Sequence, residues 1–199
     1  MTVTATDGGI TVTTRASALL RKQLQIQGQA PQSAVGSTVE IERLGRETNG
    51  AWAPTVSAVV QPNGTFTTNW HTNHIGPFSL RAEIAPAGSH LVSESAFAAP
   101  TVAVTIYRPS LATQYGPGFY GQKTACGQKL RRNTVGVANR TLKCGTLVAI
   151  YYQGRTMTVP VIDRGPYANG ADWDLTETTG KALGIAGTAT IGAVSEPKQ

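Results

Sequence analysis

The stretch VIDRGPY, Val161 to Tyr167, places a carboxylate directly after an apolar run and directly before a forced turn. The apolar residues predict a buried strand, and the Gly165-Pro166 pair predicts that this strand ends at Asp163. A carboxylate at such a position has two possible roles. It can be a catalytic acid, or it can be a turn residue that accepts hydrogen bonds from backbone amides.

The residues around this stretch are predicted to be mostly strand, with one helix. The predicted elements, in chain order, are strands over Thr146–Tyr152 and Arg155–Ile162, a helix over Leu175–Leu183 and a strand over Thr188–Val194. Gln153-Gly154 lies between the first two strands and predicts a hairpin. Asp174 or Thr176 can cap the start of the helix, and Gly184 can end it.

The composition and the distribution of charge predict two domains. Charged residues make up 14% of the 199 residues and aromatic residues 7%, with 22 glycines and 11 prolines, which is typical of turn-rich β structure. The whole net charge of +6 lies in residues 107–199, as do all six tyrosines, whereas all three histidines precede them. We therefore predict domains over residues 1–106 and 113–199, joined by a linker over residues 107–112.

The first domain is predicted to consist of short strands. These strands are Ser37–Leu44, Ala53–Val60, Gly64–Trp70, Phe78–Ile84 and Pro100–Tyr107. Several strands within ~100 residues, separated by turn signals, predict an antiparallel β-sandwich of immunoglobulin-like type. Trp70, His71 and His74 include metal-ligating residue types, but their spacing places no further ligand, so no metal site is predicted.

The two cysteines, Cys126 and Cys144, are separated by 18 positions, and neither lies in a metal-ligand pattern. A single disulfide is the simplest interpretation. It would stabilise the fold by roughly 3 kcal/mol and would indicate an oxidising compartment. The alternative is a pair of buried free thiols in a cytosolic protein.

Residues 110–195 contain five distinctive motifs: YGPGFYG (Tyr115–Gly121), TACGQ (Thr124–Gln128), GVANRTLKCGT (Gly136–Thr146), VIDRGPY (Val161–Tyr167) and DWDLT (Asp172–Thr176). In their order and spacing they resemble the motifs of the RlpA-like (rare lipoprotein A) double-psi β-barrel family. The resemblance implies a six-stranded barrel related to domain 1 of expansins, so the chain is predicted to be mainly β: an immunoglobulin-like sandwich, then this barrel with one short helix. It also implies action on cell-wall glycan, and characterised members of the family include lytic transglycosylases that cleave peptidoglycan.

The resemblance also assigns roles to individual residues. The catalytic aspartate of the family's DRGP motif matches Asp163. The family often has a glutamate where this sequence has Gln128, and it has a histidine where this sequence has Asn139. These neutral amides can hold sugar hydroxyls or orient an acid, but they cannot exchange protons. Asp174 matches an aspartate that expansins need for wall loosening, and it is predicted to contact the sugar.

Lytic cleavage needs fewer ionisable groups than hydrolysis. Hydrolases use two carboxylates, whereas in lytic cleavage the 6-hydroxyl of the muramic acid attacks its own anomeric carbon. A single carboxyl group, here Asp163, can then act as both general acid and general base if its pKa is raised. The predicted aromatic sugar contacts are Tyr115, Tyr120, Tyr167 and Trp173. Core packing is the default expectation for Phe119 and for two of these four residues.

The positive charge of the second domain predicts an anionic partner. Lys129, Arg131 and Arg132 form a cluster, and the carboxylates and phosphates of bacterial walls would attract it. Because no recognised nucleic-acid motif accompanies the charge, nucleic acid is not predicted as a partner. No cofactor is predicted.

The location follows from the resemblance, since the sequence has no targeting signal of its own. The first residues, MTVTATDGGITVTT, lack a basic and an apolar region, and no run approaches ~20 apolar residues. No membrane span is predicted. We expect a secreted or cell-envelope protein whose signal peptide is absent from this sequence.

The sequence is compatible with three functions. The first is an exported lytic transglycosylase with Asp163 as general acid and base. The second is a non-catalytic, expansin-like module that binds glycan or loosens the wall, which Gln128 and Asn139 favour. The third is a structural spacer that carries a degenerate barrel.

Overall fold

The computed structural model describes residues 1–85, 99–167 and 170–195. The chain divides into two compact units, Met1–Ile106 and Tyr107–Gln199. Within the described residues, no helix is long and apolar enough to cross a membrane.

In its described residues, 1–85 and 99–106, the first unit consists of strands and two 3-10 helices, Gln32–Ala34 and Arg46–Thr48. Its strands are β1 (Thr2–Asp7), β2 (Ile10–Arg15), β3 (Ser17–Leu19), β4 (Gln23–Gln29), β5 (Thr38–Leu44), β6 (Ala53–Val59), β7 (Thr65–His71), β8 (Gly76–Ile84) and the first part of β9 (Thr101–Tyr115). One sheet has the order β1-β2-β4-β7 and the other β6-β5-β8-β9, with β3 also paired to β9.

Alternating side chains from both sheets of the first unit meet in one hydrophobic core. Its largest fully buried members are Phe66, Leu24, Ile26, Ile41, Leu80 and Ile106. Trp70 packs edge-on against Phe78, with ring centroids 5.5 Å apart. The predicted two-sheet β architecture is confirmed, and the immunoglobulin-like type stays a prediction.

The residues predicted as a linker, 107–112, lie inside strand β9. Within the second unit, Pro109 is paired opposite Gly192, and Ala112 is fully buried. The linker prediction was wrong because a proline interrupts the apolar alternation of this segment without ending its strand.

The second unit is a closed barrel of six strands. Besides β9 they are β10 (Val137–Ala138), β11 (Leu147–Tyr152), β12 (Arg155–Asp163), β13 (Trp173–Thr176) and β14 (Ala189–Ser195). The order is β13-β10-β12-β11-β14-β9, and a further pairing of β9 with β13 closes the ring. The pairs β10–β12 and β9–β13 are parallel, and the other pairs are antiparallel. The predicted six-stranded barrel is confirmed.

The barrel has one helix, α1 (Glu177–Leu183). It begins two residues later than predicted because Leu175 belongs to β13 and is fully buried. Thr176, not Asp174, caps the helix by accepting a hydrogen bond from the backbone N–H of Thr179. Gly184 ends it in the left-handed conformation, with φ of 77°.

Candidate functional site

Four residues on four neighbouring strands form one row across the wall of the barrel. Asp163 on β12 lies opposite Ala138 on β10, Ala138 lies opposite Asp174 on β13, and Asp174 lies opposite Thr113 on β9. Directly paired residues point to the same face of a sheet. The two carboxylates are therefore two strands apart, about 10 Å between their Cα atoms, with only the methyl group of Ala138 between them.

This row lies on the face of the wall that points away from the core. Val137 precedes Ala138 on β10, and Leu175 follows Asp174 on β13. These two residues are paired with each other and belong to the core. Because side chains alternate along a strand, the row residues on these two strands point outward. The two aspartates thus have a place on the solvent side of the barrel.

Asp163 reaches the row through an irregularity in the pairing of β10 and β12. Val137 is paired with Val161, but the next residue, Ala138, is paired with Asp163, so Ile162 is an extra residue in β12. Such a bulge changes the direction of the side chains that follow it. Regular alternation would instead place Asp163 on the same side as the buried Val161.

Two backbone amides fix one oxygen of the Asp163 carboxylate. Its Oδ1 accepts hydrogen bonds of 2.8 Å from the N–H of Ala125 and of Arg164. Among the described residues, no group donates to the other oxygen, Oδ2. Asp163 therefore does accept hydrogen bonds from backbone amides in the turn, as one of the two roles considered from the sequence requires. Its second carboxylate oxygen is left for a ligand.

The Arg164 guanidinium points away from the Asp163 carboxylate. It donates to the backbone carbonyls of Asn139 and Asp163 and to Sγ of Cys144, each at 3.4 Å. In the part of the chain that the structure describes, Asp163 forms no salt bridge. The basic residue of the DRGP motif thus supports the backbone of the loop rather than neutralising the acid.

Asp174 is partly buried, and its Oδ1 accepts a 2.9 Å hydrogen bond from the hydroxyl of Thr113. Burial raises the pKa of Asp174, the hydrogen bond from Thr113 lowers it, and the charge of Asp163 raises it further; the net direction is upward. The outer face of the barrel therefore carries one carboxyl group that holds its proton more tightly than a free aspartate does.

We expect Asp174→Asn to raise the unfolding temperature of the barrel by a few degrees at neutral pH. Above the raised pKa, folded Asp174 carries a partly buried charge that is less favourable than the same charge in the unfolded chain, and asparagine removes this charge. Below both pKa values the aspartate is neutral, so the difference disappears in acid. Thermal unfolding of both proteins across a pH series tests this expectation. A difference that does not change with pH would contradict it.

Tyr115, on the same β9 strand as Thr113, has a buried hydroxyl without a hydrogen-bond partner among the described residues. Burial raises the pKa of Tyr115, and the charges of Asp163 and Asp174 raise it further, so the phenol stays protonated at physiological pH. Its ring lies edge-on to Phe119, with centroids 6.1 Å apart. The charges of both aspartates therefore act on the Tyr115 hydroxyl, while the predicted contact of Tyr115 with sugar stays a prediction.

The two amides at the family's Glu and His positions have different surroundings. The Asn139 side chain accepts hydrogen bonds from the backbone N–H of Thr141 and Leu142, at 3.1 and 2.9 Å, and donates to the carbonyl of Asp172. The Asn139 side chain thus holds a loop, and its contact with the sugar stays a prediction. Gln128 is exposed, and its side chain is available to a ligand.

The predicted aromatic contacts are only partly at the surface. Trp173 is 8% exposed and belongs to the barrel core, because alternation along β13 turns it inward. Core packing, which the sequence also allowed, is therefore what the structure shows for Trp173. Phe119, expected in the core, is 53% exposed, and Tyr167 is 80% exposed. The Tyr120 hydroxyl donates to the Glu177 carboxylate and is engaged within the fold.

The predicted disulfide between Cys126 and Cys144 is confirmed, with Cα atoms 5.7 Å apart. Cys126 directly follows Ala125, whose N–H binds Asp163. On the other side, Gly145 follows Cys144 and donates its N–H to the carbonyl of Val161, at 2.8 Å. The disulfide therefore ties the loop that holds Asp163 to the strand that carries it.

Sequence reasoning missed two contributors to this site. Thr113 was overlooked because the preceding strand was predicted to end at Tyr107, whereas β9 continues to Tyr115. The alternation of Thr113 with Tyr115 could have indicated that both residues face the same side. Arg140 donates from Nη1 to the carbonyls of Pro166 and Ala171, at 2.7 and 2.8 Å, and so braces the loop after Asp163. No pattern in the sequence indicates that contact.

Comparison with known proteins identifies the class of the second unit. Residues 112–195 match the protein family described as lytic transglycolase. The second unit is thus similar to this family over most of its length, in agreement with the resemblance that the five motifs carry.

Particular relatives show the same match over limited lengths. The probable endolytic peptidoglycan transglycosylase RlpA of Synechocystis is 39% identical over 77 residues, which are 38% of this chain and 24% of that protein. The endolytic peptidoglycan transglycosylase RlpA of Campylobacter jejuni is 35% identical over 97 residues, 46% of this chain and 35% of that protein. The chain therefore matches between a quarter and about a third of these relatives' length. Among solved structures, the Streptomyces papain inhibitor is 25% identical, with a TM-score of 0.35 over 43% of this chain and 89% of the inhibitor.

Proposed function

We propose that the chain acts on peptidoglycan glycan strands, with its barrel as a lytic transglycosylase and Asp163 as general acid and base. The observation that carries the proposal is the position of Asp163: two amides fix Oδ1 at 2.8 Å, and Oδ2 accepts no hydrogen bond from the described residues. The names of the RlpA relatives, which are endolytic peptidoglycan transglycosylases, support the choice of substrate.

The proposed reaction needs one proton-transferring group. Asp163 gives its proton to the glycosidic oxygen, and the bond from that oxygen to the anomeric carbon of muramic acid breaks. The 6-hydroxyl of the same sugar forms a new bond to this carbon, and its proton returns to Asp163. No water is consumed, and the product has a 1,6-anhydro end. Because the nucleophile is tethered to the substrate, much of its entropic cost is removed.

Asp174 is assigned to the substrate rather than to proton transfer. The hydrogen bond from Thr113 fixes its Oδ1, and its second oxygen accepts no hydrogen bond within the described chain. A sugar hydroxyl can donate to this second oxygen. Gln128 can add a further contact from the exposed TACGQ loop. In this mechanism, a neutral amide in place of glutamate removes no required proton carrier.

The second candidate is a non-catalytic, expansin-like module that binds glycan. This candidate is supported by two polar groups that already form hydrogen bonds within the fold. The Asn139 side chain holds a loop, and Oδ1 of Asp163 holds a turn. In this case the row of carboxylates binds sugar hydroxyls without cleaving the chain.

Product analysis separates the two candidates. Intact sacculi and sacculi stripped of stem peptides are each incubated with the protein, and soluble products and bound protein are both measured. Release of glycan fragments with anhydro ends is the result expected of a transglycosylase. Protein bound to sacculi without any released product would contradict the catalytic proposal and leave the glycan-binding module.

We further propose that anionic wall polymers bind beside the site. Residues 121–130 form a short hairpin in which Lys123 is paired with Lys129, and Arg131 and Arg132 follow; all four are exposed. This hairpin includes Ala125, so its positive charge adjoins the loop that holds Asp163. Carboxylates or phosphates of the wall would be attracted to it.

Binding to sacculi should therefore depend on salt. We expect the Lys123→Gln/Lys129→Gln variant to bind about twofold to tenfold more weakly than wild type at low salt, with the difference shrinking as salt rises. Co-sedimentation with sacculi over a salt series measures this effect. Lys22→Gln, which removes an exposed cation of the first unit, is the control and should bind like wild type. Equal binding by all three proteins would contradict the proposal.

The proposed location is the cell envelope, outside the cytoplasm. The disulfide between Cys126 and Cys144 supports it, because such bonds persist in oxidising compartments. The proposed substrate lies in the same place.

A further inference from the structure

The Tyr115 hydroxyl is a buried hydrogen-bond donor that has no acceptor among the residues the structure describes. Buried tyrosine hydroxyls usually have a partner, and an orphaned one needs an explanation. The described chain contains one other such side-chain atom, Oγ1 of Thr124, which directly precedes Ala125 in the loop that holds Asp163. Both orphaned hydroxyls thus belong to the surroundings of the candidate site.

Strand register places Tyr115 beside the row of carboxylates. Tyr115 is paired with Thr176, while Asp174 is paired with Thr113 two positions away, so Tyr115 and Asp174 lie on one face in adjacent rows. The charges of Asp163 and Asp174 both act on the phenol. Edge-on packing against Phe119 fixes the ring. The hydroxyl is therefore held near both acids by the fold itself.

The nearby carboxylate oxygens do not take this donor. Oδ1 of Asp174 accepts from Thr113, and Oδ1 of Asp163 accepts from two backbone amides. The protonated Tyr115 phenol bonds to neither of these two carboxylates, so it keeps its donor for a third group. The charge around it restricts that group, because two aspartates disfavour an anion. An uncharged oxygen atom is the acceptor that fits.

We propose that the Tyr115 hydroxyl donates a hydrogen bond to an uncharged oxygen of the glycan, namely a sugar hydroxyl, an ether oxygen or an acetamido carbonyl, bound against the row of Asp163 and Asp174. The assignment rests on the proposed function. It replaces the predicted stacking role of Tyr115, since the ring packs against Phe119 and the hydroxyl is the group left without a partner. The anionic groups of the wall are left to the basic hairpin of residues 121–130.

The experiment compares Tyr115→Phe with wild type in two measurements, using peptide-free glycan strands purified from sacculi. Phenylalanine keeps the ring and removes only the hydroxyl. We expect the affinity for the strands to fall about fivefold to tenfold, as for one lost hydrogen bond. The unfolding temperature should stay the same or rise, because the variant loses a buried hydroxyl that has no partner in the unliganded fold.

Tyr152→Phe is the matched control. The Tyr152 hydroxyl accepts a hydrogen bond from Gln153 in the hairpin between β11 and β12, away from the row of carboxylates. This variant should bind the strands like wild type. A loss of affinity in Tyr115→Phe alone would support the inference, whether or not wild type cleaves the strands.

The outcomes separate this inference from the proposed function. If Tyr115→Phe binds and cleaves the strands as wild type does, the inference is overturned and the proposed function is left intact. If wild type binds the strands without cleaving them and Tyr115→Phe binds them more weakly, the transglycosylase proposal is overturned and the inference is supported. If wild type does not bind the strands, both are overturned.

Discussion

Replacing Asp163 by asparagine will slow the release of anhydro-ended products from sacculi by about 10²- to 10⁴-fold, the usual contribution of a general acid or base. The amide cannot carry the proton that the leaving oxygen needs. Its Oδ1 can still accept the hydrogen bonds from Ala125 and Arg164, so the loop keeps its anchor. The variant should therefore stay folded and bind sacculi.

Initial rates of product release, normalised to bound protein, measure this effect. Asp172→Asn is the matched control: Asp172 is also a partly buried carboxylate, and its Oδ2 accepts from the N–H of Leu111, which an asparagine oxygen can also do. This control should release products at nearly the wild-type rate. Equal rates for Asp163→Asn and Asp172→Asn would remove Asp163 from the chemistry.

Removing the disulfide will lower the free energy of unfolding of the barrel by roughly 3 kcal/mol. The Cys126→Ala/Cys144→Ala variant reopens a loop of 18 positions in the unfolded chain. It also frees the segment whose Ala125 N–H holds Asp163, so product release should decrease even where the barrel remains folded. The disulfide thus serves both the stability of the barrel and the geometry of the site.

Denaturant unfolding followed by hydrogen exchange measures this loss, because peptides from residues 107–199 are read separately from those of the first unit. Residues 1–106 contain no cysteine, so they serve as an internal control and should keep their stability. Wild type treated with a dithiol reductant should unfold like the variant. A variant as stable as oxidised wild type would contradict this role of the disulfide.

The barrel could be predicted because several independent signals in its sequence agree. Gln153-Gly154 lies between two apolar runs, and both residues have positive φ, 46° and 85°, as the predicted hairpin turn requires. The first 29 residues gave no such signal, although they form β1 to β4. Their outward positions are threonine and glutamine, and glutamine has no strong strand preference, so the alternation is inconspicuous.

The details of the site could not be predicted, because they depend on register. Asp163 faces outward through an extra residue in β12, and a bulge of this kind has no reliable sequence signal. Trp173 faces inward for a similar reason, because the side of the wall is decided by strand pairing and not by hydrophobicity. Phe119 lies in the short 3-10 helix Pro117–Phe119, outside the barrel strands, and is exposed there. Asn139 looks like a sugar ligand by position, and only the structure shows its bonds to Thr141 and Leu142.

In the proposed mechanism, Asp163 drives lytic cleavage and not hydrolysis. Mass spectrometry of products formed from sacculi in ¹⁸O-labelled water, by wild type and by Asp163→Asn, distinguishes the two reactions. We expect anhydro-ended products from wild type, without the label at their new ends, and almost none from Asp163→Asn. Labelled reducing ends would contradict lytic cleavage, and the same products at the same rate from Asp163→Asn would contradict the role of Asp163.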